Sequence, residues 1–162
     1  MISPDLARMH LAYTEWATAR LLSAARELAP DELSREFGTA HRSVIGTLTH
    51  VFGADRVWLA RLTGGPQEWP PDYDLAGLTA DWNALYARWQ AWAAGLHEAS
   101  ISERLAYRDL KGNAWTSPVW QIVLHVVNHG THHRGQVAGF LRSMGKTPPV
   151  LDLIAYYRQS GG

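Results

Sequence analysis

His125-Val126-Val127-Asn128-His129-Gly130-Thr131-His132-His133-Arg134-Gly135-Gln136 holds four of the chain's eight histidines within nine residues, and its reading decides the fold. Counted at about 100° per residue, Val126, His129, His133, Val137 and Phe140 fall on one helical stripe, within about 40° of one another. The stripe is otherwise apolar, so two histidines sit on the side expected to be buried. A lone histidine there is usually a core residue satisfied through one ring nitrogen. A pair at i, i+4 differs, because both imidazoles leave the same side with Cβ atoms about 6 Å apart, and their nitrogens can converge on one ion at about 2.0–2.1 Å. Each buried imidazole would otherwise need its own polar partner. His125 extends the stripe, but eight residues of helix rise about 12 Å, so all three cannot hold one ion. A third ligand must come from another helix.

A chain of 162 residues forms one domain, residues 1–162, and buries about 68–70% of the surface its unfolded form would expose. Fifteen basic residues balance fifteen acidic ones. No charge excess points to nucleic acid or to an anionic membrane surface. Cysteine is absent, which excludes disulfides, a thiolate nucleophile and a Cys-ligated zinc finger, and leaves metal chemistry to histidine and carboxylates. The start, Met1-Ile2-Ser3-Pro4-Asp5, has no basic and apolar signal pattern, and no window approaches eighteen consecutive apolar residues. The expectation is a soluble, cytoplasmic protein. Eight tryptophans are explained first as core filling and second as the wall of a ligand pocket.

Outward from the histidine helix, caps and periodicity give the other elements. Ser3-Pro4 reads as an N-cap with proline at the first helical position, opening a helix to about Ala29 on which Leu6, Met9, Tyr13, Trp16, Ala17 and Leu21 recur. His10 lies near its inner stripe and is a rival metal ligand. Pro30-Asp31-Glu32 breaks that run. Ser43 caps a second helix that ends at Gly64-Gly65-Pro66; His50 lies on its flank with the small residues Gly46, Gly53 and Ala54, where another helix could approach closely. A Gly- and Pro-rich crossing loop follows to Leu78, and Thr79 starts a third helix with Trp82, Leu85, Tyr86 and Trp89 inside. Residues 105–115, around Gly112-Asn113, alternate weakly and read as a short hairpin. Ser117-Pro118 opens the histidine helix, Gly145 ends it, and Asp152 caps a short fifth helix to about Arg158. The predicted fold is all-α: an antiparallel four-helix bundle with a short C-terminal fifth helix, a design that builds cofactor sites from facing helices. Trp120, Leu124, Val127, Ala138 and Leu141 give the histidine helix a second apolar face, to be covered by the fifth helix or by another subunit in a homodimer.

These residues resemble the bacterial DinB-like proteins, whose relatives include YfiT-type metal-dependent hydrolases and thiol-dependent transferases. The resemblance spans essentially the whole chain. It rests on Tyr13-Thr14-Glu15-Trp16-Ala17, on Gly46-Thr47-Leu48-Thr49-His50-Val51 with Asp55-Arg56-Val57-Trp58-Leu59, and above all on His129-Gly130-Thr131-His132-His133-Arg134-Gly135-Gln136. It implies a divalent ion, zinc or nickel foremost, held by His50, His129 and His133, and so prefers His50 to His10.

Three imidazoles leave an open position on the ion, as in catalytic rather than structural sites. Such an ion lowers the pKa of a bound water or binds a thiolate. Asp55 and Asn128 are candidate acceptors for the outer N–H groups of the ligands, and His125, His132 or Asp55 remain candidates to close the shell. Two functions are open. One is a metal-dependent enzyme acting on a small molecule, transferring a low-molecular-weight thiol to an electrophile or hydrolysing its substrate. The other is a non-catalytic stress-response bundle whose ion is structural or sensory. A cavity reaching the open position would favour the first.

Overall fold

The computed structural model describes residues 2–161. Four long helices carry the fold: α1 (Pro4–Ala25), α3 (Val44–Thr63), α4 (Leu75–Ala94) and α6 (Val119–Ser143). Between them lie the short helices α2 (Pro30–Ser34) and α5 (Glu98–Ser102) and a hairpin, β1 (Arg104–Arg108) with β2 (Ala114–Pro118); α7 (Leu153–Gln159) follows α6. Helix α1 packs on α4 and α6, and α3 packs on the same two, closing the four into a bundle. The fold is the predicted all-α bundle with a C-terminal extra helix.

Its centre is filled by the predicted stripes. Leu21 of α1, Leu48 and Leu59 of α3, Leu78 and Trp82 of α4, and Val137 and Leu141 of α6 are all buried in one cluster. Core filling explains Trp82 and Trp89, which are buried; Trp69 and Trp115 are exposed. The second apolar face of α6 is covered in part from within the chain: Val127 packs with Tyr13 and Ala17, against Leu151, Leu153 and Tyr156. No described helix is long and apolar enough to cross a membrane.

Several boundaries differ from the sequence reading, each for a local reason. Helix α1 stops at Ala25, and the proline that was expected only to break the chain starts α2, where the Glu32 carboxylate accepts from the Ala29 backbone N–H at 3.0 Å. Helix α4 starts four residues before Thr79, because Asp74 accepts from Gly77 N at 2.7 Å; Thr79 instead donates its hydroxyl to the Leu75 carbonyl. Ser117 is no N-cap. It pairs with Leu105 in the hairpin, and α6 begins after Pro118 without a side-chain cap. The hairpin turns as expected at Gly112, φ 88°, where the Asp109 carboxylate accepts from Lys111 N, Asn113 N and the Trp115 indole.

Candidate metal centre

Ser43 caps α3 through a 3.1 Å bond from Gly46 N, which sets the phase of the helix and turns His50 toward α6. On α6, one turn separates His129 from His133, so both face back across the same gap. His50 Nε2 lies 3.1 Å from His129 Nε2, and the ring centroids of His50, His129 and His133 are 4.5 to 5.0 Å apart. The three histidines expected at the site are therefore brought together.

A fourth imidazole joins them. His41 stacks on His50 at 3.6 Å between centroids and stands edge-on to His133 at 5.1 Å; ligand-capable atoms of His41, His50 and His133 lie within 4.8 Å of one another. His41 belongs to the loop between α2 and α3, so helical periodicity gives no sign of it. The nearest signal is Gly46. A Cβ there would sit 2.3 Å from the His41 carbonyl oxygen, so only glycine lets the loop lie against the first turn of α3. Arg42 takes φ 66°, rare for a residue with a side chain, and its carbonyl accepts from Phe37 N at 2.7 Å to close the loop. The small flank of α3 thus receives loops and not the helix expected there: Gly53 makes the same room for Trp69 and Pro70. Trp69 tilts over His50 at 5.6 Å.

The outer contacts fix ring orientation. The amide nitrogen of Gln136 donates to His132 Nε2 at 3.2 Å, which points Gln136 Oε1 at His133 Nδ1, 2.8 Å away. A carbonyl oxygen only accepts, so His133 carries its proton on Nδ1 and its lone pair on Nε2. Gln136 is the partner that sequence reasoning missed. Neither residue expected in that role has it: Asn128 is exposed, and Asp55 is buried beside Arg134, away from the imidazoles. His132 acts through Gln136. His125 is exposed, with its ring against Trp58, and His10 pairs with Tyr157 outside the cluster at 3.2 Å.

Burial, then the neighbouring imidazoles, pushes His50 down to about 4 and His129 down to about 3; burial also lowers His41 and His133. At neutral pH all four rings are neutral, the form in which imidazole binds a metal. Their nitrogens could hold a divalent ion, and an all-imidazole set suits transition ions rather than calcium or magnesium. A cavity of about 430 Å³ opens beside the cluster, lined by His41, His50, Thr49, Trp69 and Tyr73.

Comparisons with known proteins agree with this architecture. The DinB family model matches residues 4–160. Protein DinB of Bacillus subtilis (strain 168) is 23% identical over 161 residues, covering 94% of each chain. A crystal structure of a DinB-like protein from Bacillus cereus ATCC 10987 superposes with a TM-score of 0.63 at 20% identity, covering 87% of this chain and 94% of the other. With a family match from the first helix through the last, and a fold shared with a solved DinB-like protein, this chain belongs to the DinB family.

Proposed function

We propose that the protein is a metal-dependent enzyme that transfers a low-molecular-weight thiol to an electrophilic small molecule, with His50, His129 and His133 holding a divalent ion, zinc or nickel. The observation carrying this reading is the convergence of imidazoles, with His41, His50 and His133 within 4.8 Å of one another and His129 3.1 Å from His50, beside a cavity of about 430 Å³ lined by His41 and His50. The ion supplies a Lewis acid that stabilises the thiolate form of the substrate near neutral pH. Everything else falls to the chain. Gln136 holds His133 with its Nε2 lone pair inward. Trp69 and Tyr73 wall the cavity and hold the apolar part of the acceptor. His41, neutral and at the cavity's inner edge, takes the thiol proton on a ring nitrogen. The sulfur then bonds to the electrophilic carbon, whose leaving group departs with the electron pair.

His41 also supports a second reading. As a fourth imidazole it closes the shell, and the ion is then structural or sensory with no turnover. Elemental analysis of untagged protein separates the two, together with a screen of small thiols against chlorodinitrobenzene on wild type, His129→Ala, His133→Ala and His41→Ala. The enzyme reading expects metal in wild type and in His41→Ala, loss of metal in the other two, and turnover only in wild type. Loss of metal from His41→Ala with no turnover in any sample supports the structural reading. Equally low metal in wild type and His129→Ala removes both.

A further inference from the structure

Helix α3 carries a second buried group that the metal centre does not use. Asp55 lies five residues after His50, about 140° round the helix, and is 1% exposed. It faces a chamber of about 180 Å³ between α1 and α4, floored by Asp55 and Tyr86 and walled by Leu11, Trp89, Ala93 and Val126. Among the described residues neither Asp55 oxygen closes a hydrogen bond, and neither do Trp82 Nε1 and Arg134 Nε, while the Tyr86 hydroxyl has Thr18 as its polar neighbour. The Trp82 indole N–H neighbours the carboxyl without closing a bond. Arg134, whose guanidinium donates to Thr18 at 3.3 Å and Thr131 at 3.1 Å, acts on the Asp55 carboxyl through its charge without lining the chamber. Gly130 makes room for this, since a Cβ there would meet the guanidinium at 2.7 Å.

An acceptor left open at the floor of an apolar chamber costs free energy until a donor reaches it. We propose that this chamber is a second binding site, distinct from the metal centre, for a single-ring aromatic molecule carrying one hydroxyl or amino donor. Size supports a single ring, because apolar protein cavities near 150 Å³ take up benzene. Trp89 and Tyr86 line the chamber as aromatic neighbours for the ring, and the donor ends on Asp55. Gln90 donates to Glu15 at 2.5 Å, and both residues line the chamber. Burial raises Asp55 to about 7 even though Arg134 pulls the other way, so the carboxyl meets a neutral donor without the full cost of a buried charge.

The test compares phenol with toluene, which match in shape and differ in the donor. The readouts are the Trp89 indole resonance of labelled full-length protein and the contacts of chamber protons with water. The expected result is a saturable shift, with phenol about tenfold tighter than toluene although toluene is the more hydrophobic. Asp55→Asn should reduce that preference, and Ala93→Phe, which fills the chamber, should abolish binding. Ala12→Leu serves the same purpose if Ala93→Phe does not fold. Binding should persist in His129→Ala, so its failure is separate from that of the metal reading. No saturable shift, equal affinity for the two probes, or a long-lived water that phenol does not displace would each overturn the proposal.

Discussion

Both ring nitrogens of His133 have a defined task, which sets it apart from the other three imidazoles. Gln136 Oε1 holds the Nδ1 proton, and the Nε2 lone pair is left for the cluster. Removing such an outer partner typically lowers metal affinity about 10–100-fold. Gln136→Ala should do so without unfolding α6, and Gln136→Glu, which keeps an acceptor, should restore most of it; competition against a chromophoric chelator measures both. Unchanged affinity in Gln136→Ala would mean that packing alone orients His133.

Protonation gives a second prediction at the same scale. His50 and His129 titrate lower in the folded state than the ordinary value of 6.5, so the unfolded chain binds their protons first. Their contribution is therefore present above pH 6.5 and is lost as pH falls toward about 4 and 3. Asp55 has the opposite sign: raised to about 7, it takes up a proton in the folded state first, and stability rises as pH falls below that value. In metal-free protein, His129→Gln should flatten the loss of stability between pH 6.5 and 4, and Asp55→Asn should steepen it. Urea midpoints across that range check both slopes.

At the scale of elements, the site depends on one loop meeting the first turn of one helix. Gly46 permits that contact, and its missing Cβ would lie 2.3 Å from a backbone oxygen that cannot rotate away. Gly46→Ala gains about 1 kcal/mol of helix propensity, but the overlap costs more, so a net loss of about 1–3 kcal/mol is expected. His41 should leave His50 in that variant, while His50, His129 and His133 keep their places. A Gly46→Ala protein as stable as wild type would show that the loop moves freely and that its contact with α3 is weak. The same scale explains where element starts were misread. Thr79 and Ser117 have cap chemistry, but Asp74 caps a turn earlier and a strand partner claims Ser117.

For the whole molecule, the question is what the bundle needs in order to stand. Its centre is a continuous apolar cluster with Leu48 1% exposed, and the imidazoles lie at its edge. Leu48→Ala should therefore cost about 2–5 kcal/mol. Chelation removes only the stabilisation by bound ligand, about 2.7 kcal/mol at a hundredfold excess over Kd. Far-UV circular dichroism should stay unchanged at 25 °C on chelation while the melting temperature drops; unfolding on chelation would make the ion part of the fold. We also propose that two copies pair through the face of α6 bearing Trp120 and Leu124, where Val150, 54% exposed, lines the same groove as Leu124. Sedimentation at micromolar concentration tests this, and a single 18.1 kDa species would leave α7 as that face's cover.

The sequence by itself determined what repeats or what is local: the helical period behind the bundle, the Ser3 and Ser43 caps, the Gly112 turn, and the i, i+4 pair His129 and His133. His50 came from family resemblance, because its own helix places it on a flank. Only the tertiary structure decided His41, Gln136 and the chamber floored by Asp55. Those depend on which surfaces meet, a glycine admitting a loop and an amide held by another histidine, and contacts between elements leave no period along the chain.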